Sequence, residues 1–224
     1  MKTVSKVYMT LLLLFMYAPI VVMIVYSFNS SESTSVFTGF SLKWYGELFR
    51  DKETIRALIH SLIIAVLSAV ISTVLGTAAA VGINAMNSGL RKTVNMVTNI
   101  PMMNPEIVTG VSMMLLFVFF KNLFGFKMGF ATVLIAHITF CLPYVILNVL
   151  PKLRQMDQSL FEAAMDLGCH PVTAFFKVVI PQIMPGITAG FLMAFTISLD
   201  DFVVTYFTSG SGFKMLPVTI YSMV

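Results

Sequence analysis

The stretch VYMTLLLLFMYAPIVVMIVYSF, residues 7–28, contains 22 residues and no charged side chain. A transmembrane helix needs about 20 consecutive apolar residues, so this stretch is long enough to cross a membrane. Lys2 and Lys6 precede it and no convincing small-residue cleavage site follows. We therefore interpret it as a retained first membrane helix, bent at Pro19, rather than a removed signal peptide.

The chain as a whole has the same apolar character. Of its 224 residues, 58% are hydrophobic and 11% are charged, and the mean hydropathy is +0.90. A soluble domain carries about 25% charged residues, so the composition excludes a soluble enzyme and a disordered chain. The sequence predicts an all-α polytopic membrane protein, one domain over residues 1–224 with five spans. These spans are residues 7–28, 58–85, 107–124, 129–150 and 183–207.

The polar residues between the spans give weak signals of their own. The 14 Lys and Arg residues lie singly or in pairs beside apolar runs, which indicates membrane flanks and no nucleic-acid partner. Cys141 and Cys169 form no metal-binding spacing, and we interpret them as free thiols. His60 and His137 lack a paired motif and are expected to be hydrogen-bonded packing residues.

The orientation is predicted from the residues next to the first span. Basic residues divide seven against seven between the two sides, so the count over the whole chain decides nothing. Lys2 and Lys6, however, have no basic counterpart soon after Phe28, which favours a cytoplasmic N-terminus. Residues 29–57 are then outside, where an interfacial amphipathic helix anchored by Trp44 and Tyr45 is expected.

The same alternation makes residues 151–182 a cytoplasmic loop, with the sequence PKLRQMDQSLFEAAMDLGCHPVTAFFKVVIPQ. Ser159 with Glu162 predicts a capping box for a short helix over residues 160–167. Gly168 is suited to the left-handed conformation that ends such a helix. The apolar side of this helix must rest on its own spans, on lipid or in the groove of a partner.

The loop carries a spaced signature. Glu162, Ala163 and Ala164 are followed after three residues by Gly168, and after nine more by Val-Val-Ile-Pro at residues 178–181. This pattern resembles the inner-membrane permeases of binding-protein-dependent ABC importers, with Val178 and Ile180 as the two aliphatic replacements. The segments FSLKWYGELF, IPMMNPEIVTG and SLDDFVVTYF look especially like the spermidine/putrescine permeases of that family.

The resemblance implies a fold and a set of partners. The fold is an ABC type I importer permease (MetI-like) bundle, with a sixth membrane helix expected beyond Val224. The partners are a second homologous permease in a heterodimer, two cytoplasmic ATPase subunits, a periplasmic polyamine-binding protein and membrane lipid. The expected location is the bacterial inner membrane.

The resemblance also implies that the short helix is a coupling helix held by an ATPase subunit. The residues implied in ATPase coupling are Leu160, Phe161, Glu162, Ala163, Ala164, Leu167 and Gly168. The chain itself contains no G-x-x-x-x-G-K-[ST] phosphate-binding loop. We therefore expect a non-catalytic subunit without cofactors, with ATP and Mg²⁺ bound by the partner ATPases.

A pair of acidic residues interrupts the predicted fifth span. Asp200 and Asp201 lie in FLMAFTISLDDFVVTYF, and an ionised carboxylate in lipid costs about 3 kcal/mol or more. Such residues face protein or a water-filled path, so a purely structural role stays open beside a role in transport. With the family resemblance we place Asp200, Asp201, Tyr206 and Phe207 in the pathway of a polyamine, where the two aromatic rings supply cation–π contacts.

Three alternative functions remain open at this point. A related permease for another cationic or small solute would carry the same loop. A self-contained secondary transporter or channel would show an internal repeat and broken helices in both halves. A haem-binding membrane anchor would need histidines that face each other at one depth.

Overall fold

Long apolar helices dominate the fold, as the sequence predicts. The computed structural model describes residues 2–31, 36–125, 127–157, 159–210 and 212–223, with only the backbone of residues 2–5. In chain order the helices are α1 (Lys2–Tyr26), α2 (Lys43–Arg50), α3 (Lys52–Ala85), α4 (Ser88–Met103), α5 (Glu106–Phe124), α6 (Phe130–Gln155), α7 (Ser159–Asp166), α8 (Pro171–Ala174), α9 (Ile180–Asp200), α10 (Val203–Thr208) and α11 (Leu216–Tyr221). A π-helical turn, Phe175–Val179, joins α8 to α9, so that Pro171–Asp200 is one long helix. Five helices in the described part are long and apolar enough to cross a membrane, which confirms the predicted fold class.

The chain divides into two compact units, Met1–Arg56 and Ala57–Val224. In the first unit, the buried side chain of Asn29 organises the segment before α2. Its amide donates to the carbonyl oxygen of Val36 at 2.8 Å, and its carbonyl oxygen accepts the N–H of Thr38 at 2.9 Å. The indole N–H of Trp44 donates to the backbone oxygen of Asn29 at 2.9 Å. The expected amphipathic helix is present as α2, while residues 32–35 of the polar segment lie outside the described residues.

In the second unit, α6 and α9 pack closely around a core that includes Val145, Val149 and Ile183. Glycines allow this approach. A Cβ at Gly186 would lie 2.8 Å from the backbone oxygen of Asn148, and one at Gly190 would lie 3.3 Å from the Cα of Val145. Small residues at helix crossings are the usual means of close packing in lipid, where the hydrophobic effect does not drive helices together.

One helix was not expected from the sequence. Residues 86–104 read as a connection because Pro101 and Pro105 suggest a turn, but Ser88–Met103 forms α4. Pro101 has no N–H and removes one helical hydrogen bond near the end of α4, and the helix ends two residues later at Met103. Pro105 then precedes α5, which begins at Glu106, one residue before the predicted span.

The helix bounds differ from the predicted spans near the loop 151–182. The fourth span was placed at 129–150, but α6 continues through Pro151 to Gln155. The fifth span was placed at 183–207, but its helix begins at Pro171 and ends at Asp200. The backbone of Asp201 is extended, and α10 starts after this break. The sequence misses the break because residues 183–207 are apolar on both sides of it.

Candidate functional site

The short helix α7 has a defined start and end. The carboxylate of Asp157 accepts the backbone N–H of Ser159 at 3.0 Å. Hydrogen bonds from the side chain and backbone of Ser159 lower the pKa of Asp157, so this cap persists at neutral pH and is lost only as the pH falls through that lowered pKa. The expected capping residue was Ser159 itself, but the helix begins at Ser159.

Gly168 ends α7 as predicted. Its φ is +80°, and its N–H donates to the carbonyl oxygen of Met165 at 2.9 Å. The N–H of Cys169 donates to the carbonyl oxygen of Ala164 at 3.1 Å. These two bonds form a Schellman motif, which needs a left-handed residue at the position of Gly168. The end of α7 is therefore set by its own sequence.

The predicted coupling residues divide between two faces of α7. Phe161 and Ala164 are half-buried, and Phe161 packs against the core shared by α6 and α9. Leu160, Glu162 and Ala163 are exposed, and Leu167 is 89% exposed. Phe161 is one of the residues that the resemblance implies in ATPase coupling, and its contact with this core fixes α7 to its own chain. The exposed face formed by Leu160, Glu162, Ala163 and Leu167 is available to a partner.

Asp201 lies at the break between α9 and α10 and is 8% exposed. One carboxylate oxygen accepts the backbone N–H of Thr205 at 2.8 Å and its hydroxyl at 3.0 Å. The other oxygen accepts the N–H of Val204 at 3.2 Å. Both oxygens therefore satisfy donors at the start of α10, as a capping side chain does.

A buried polar network extends from this carboxylate to two other helices. Nε2 of His137, on α6, lies 3.4 Å from the Asp201 carboxylate and 3.0 Å from the hydroxyl of Thr205. Nδ1 of His137 lies 2.7 Å from the hydroxyl of Ser198, which accepts from Ser68 of α3 at 2.8 Å. His137 is a hydrogen-bonded packing residue, as expected. Its partners were not identified from the sequence, because they lie on other elements, 61–68 positions further along the chain.

Asp200 and Asp201 face different surroundings. Asp200, the last residue of α9, is exposed, while its neighbour is buried. The backbone changes from helical to extended between them, which separates the two carboxylates. Of this pair, only Asp200 has a carboxylate that is open to a ligand.

Aromatic rings cluster after Asp200. Tyr206 is 55% exposed, and its ring centroid lies 5.6 Å from that of Phe202 and 5.5 Å from that of Phe207. Phe202 also contacts Tyr221, at 4.8 Å between centroids. Phe202 and Tyr221 were missed from the sequence because they lie on different elements. Phe207 is half-buried, and a Cβ at Gly110 would lie 2.9 Å from its ring, so Phe207 mainly packs against α5.

Other side chains that could bind a metal ion are dispersed in the structure. Nδ1 of His60 lies 3.1 Å from the backbone oxygen of Lys214, and its ring stacks on Phe213. Within the described ranges, no group of three or more His, Cys, Asp or Glu side chains is placed to hold a metal ion.

Comparison with known proteins identifies the family. Residues 72–224, which include α7 and both aspartates, match the family described as "Binding-protein-dependent transport system inner membrane component". The chain belongs to this family. It is therefore a multi-pass, non-catalytic inner-membrane subunit, and the family implies a separate ATPase and a binding protein as partners. This assignment decides against a self-contained secondary transporter and against a haem-binding anchor.

Individual relatives cover most of the chain. The putrescine transport system permease protein PotI of Escherichia coli (strain K12) is 42% identical over 214 residues, 94% of this chain and 76% of that protein. The spermidine/putrescine transport system permease protein PotC of the same strain is 39% identical over 217 residues, 97% of this chain and 81% of that protein. PotC of Haemophilus influenzae is 37% identical over 210 residues, 94% of this chain and 80% of that protein.

Proposed function

We propose that this chain is a permease subunit of an ATP-driven polyamine importer that takes up putrescine, spermidine or both. The observation that carries the proposal is the 42% identity to a putrescine permease across 94% of the chain. Asp200 offers an exposed carboxylate and Tyr206, six residues later in the chain, offers an exposed ring, and both groups suit a substrate that carries ammonium groups on an apolar chain.

In this proposal the exposed face of α7 binds a cytoplasmic ATPase subunit. The N-terminus is cytoplasmic. A second homologous permease forms a heterodimer with this chain and completes the translocation path. Two copies of the ATPase bind this heterodimer. ATP binding brings the ATPases together and moves α7, and the bundle changes from an inward-facing to an outward-facing packing. Phe161 supports this role, because its contact with the core of α6 and α9 connects α7 to the membrane helices. Alternating access needs two such packings with ligand-dependent populations.

The two aspartates have separate roles in this proposal. Asp200 contacts an ammonium group of the substrate, while Asp201 positions α10 and its aromatic residues through the cap and the contact with His137. The family resemblance placed both in the substrate pathway. The burial of Asp201 supports the narrower assignment, since its oxygens already accept hydrogen bonds from Thr205 and Val204.

We expect Asp200→Asn to lower putrescine uptake about tenfold or more, because a hydrogen bond to a charged group contributes about 1.5–3 kcal/mol. The measurement is the initial rate of labelled putrescine uptake in cells that lack their own polyamine importers. Asp200→Glu is the matched control and keeps most of the rate, since it keeps the charge. Equal amounts of each variant in the membrane fraction are verified by immunoblot. Full uptake by Asp200→Asn would remove this residue from the pathway and would argue against a cationic substrate at this place.

A further inference from the structure

A basic cleft lies where three helices meet at one end of the second unit. Its volume is about 770 Å³, within the range that holds a molecule with several functional groups. The end of α3, the first two turns of α4 and the last turn of α6 form its walls. The lining residues are Asn84, Ser88, Gly89, Arg91, Lys92, Asn95 and Arg154.

The cleft concentrates positive charge. Arg91, Lys92 and Arg154 contribute three cations, and none of the described lining residues is acidic. In the described part of the chain, none of these three residues takes part in an ion pair. Three like charges around one cavity repel one another, so an anion bound between them relieves an unfavourable interaction.

The position of the cleft indicates the source of the anion. Arg154 precedes the first residue of α7 by five positions, so the cleft lies on the same side of the membrane as α7. On α4, Leu90, Met96 and Val97 are exposed beside the cations. Basic residues next to exposed apolar side chains are typical of the boundary between lipid headgroups and acyl chains.

We propose that this cleft binds the phosphate headgroup of an anionic phospholipid in the leaflet on the α7 side. Arg91 and Arg154 bind phosphate oxygens in the two-pronged geometry that guanidinium groups favour, and Lys92 adds a point charge. The amides of Asn84 and Asn95 are available to donate to the remaining headgroup oxygens. Because the lipid contacts α3, α4 and α6 together, it holds the α3–α4 turn against the helix that leads into α7.

The test measures lipid retention by the transporter purified with its partner subunits. Native mass spectrometry in detergent compares added phosphatidylglycerol with phosphatidylcholine. We expect selective binding of phosphatidylglycerol, and at least about tenfold weaker binding by the triple variant Arg91→Gln, Lys92→Gln, Arg154→Gln. The matched control removes three exposed cations elsewhere, Lys52→Gln, Lys121→Gln, Lys127→Gln, and is expected to bind as the wild type does.

Three results would overturn the proposal. The first is equal phosphatidylglycerol binding by the cleft variant and the wild type. The second is complete displacement of the lipid by an equal concentration of inorganic phosphate, which would indicate a site for a free anion. The third is binding by the isolated chain but not by the assembled transporter, which would indicate that an acidic surface of a partner subunit occupies the cleft. Putrescine uptake by the wild type is measured in parallel. A failure of the lipid-binding proposal can then be distinguished from a failure of the proposed transport function.

Discussion

Glu162→Lys is expected to lower ATP-driven putrescine uptake at least a hundredfold while the chain still folds. Glu162 lies on the exposed face of α7, and no ion pair in the described part of the chain involves it. If this face meets a basic residue of the ATPase, the substitution brings two positive charges together. Like charges across an interface cost several kcal/mol, and every 1.4 kcal/mol corresponds to a tenfold change.

The intrinsic cost of this substitution to α7 is small. A lysine in the first turn of a helix is unfavourable by about 0.3–1 kcal/mol at the surface, and Phe161 still fixes the helix to the core. The assay measures uptake and ATP hydrolysis in vesicles that contain the complete transporter. Glu162→Asp serves as the matched control because it keeps the charge, and it is expected to retain most of the uptake. A normal rate of uptake by Glu162→Lys would rule out the proposed contact.

Asp201→Ala is expected to destabilise the second unit by about 2–4 kcal/mol and to abolish uptake. The substitution removes the acceptor for the N–H groups of Val204 and Thr205 and leaves His137 without its carboxylate neighbour. A lost helix cap costs about 0.5–2 kcal/mol, and each buried group left unsatisfied costs about 1–3 kcal/mol. Loss of the cap also allows α10 to change its direction relative to α9.

The neighbouring residue provides the control for this prediction. Asp200→Ala changes the same residue type one position away, at an exposed site, and is expected to lower uptake without changing the thermal unfolding temperature. The measurement is thermal unfolding of the purified chain, followed by fluorescence-detected size-exclusion chromatography. A double-mutant cycle with His137→Ala tests the contact itself, with an expected coupling of about 0.5–3 kcal/mol. An unfolding temperature for Asp201→Ala equal to that of the wild type would show that the cap contributes little.

The sequence predicts the long helices well because the physical requirement is simple. A run such as residues 7–28 has no charge to satisfy, and a continuous helix satisfies its backbone in lipid. The end of α7 was also predicted, because it depends only on the local sequence: Gly168 adopts the left-handed conformation that ends the helix. Helix α4 was missed because Pro101 and Pro105 suggest a turn, whereas Pro101 interrupts only the last turn of the helix and leaves the preceding turns intact.

The site was predicted in part, and the missing part depends on contacts between distant residues. The sequence shows that Asp200 and Asp201 interrupt an apolar run, but not that the helix ends between them. His137 lies 64 positions before Asp201, and the packing of α6 against α9 and α10 brings the two within 3.4 Å. Phe161 and Leu160 are both large apolar residues of α7, so the sequence does not distinguish them. The contact of Phe161 with the core shows that it lies on the inner face of the helix.

The central claim is that a separate ATPase drives polyamine movement through this chain by way of α7. The most direct measurement is uptake of labelled putrescine into vesicles that contain the purified transporter, with ATP or with an ion gradient as the only energy source. We predict uptake with ATP and the binding protein present, competition by spermidine but not by a neutral sugar, and no uptake with the gradient alone. Uptake driven by the ion gradient through this chain without the ATPase would contradict the account.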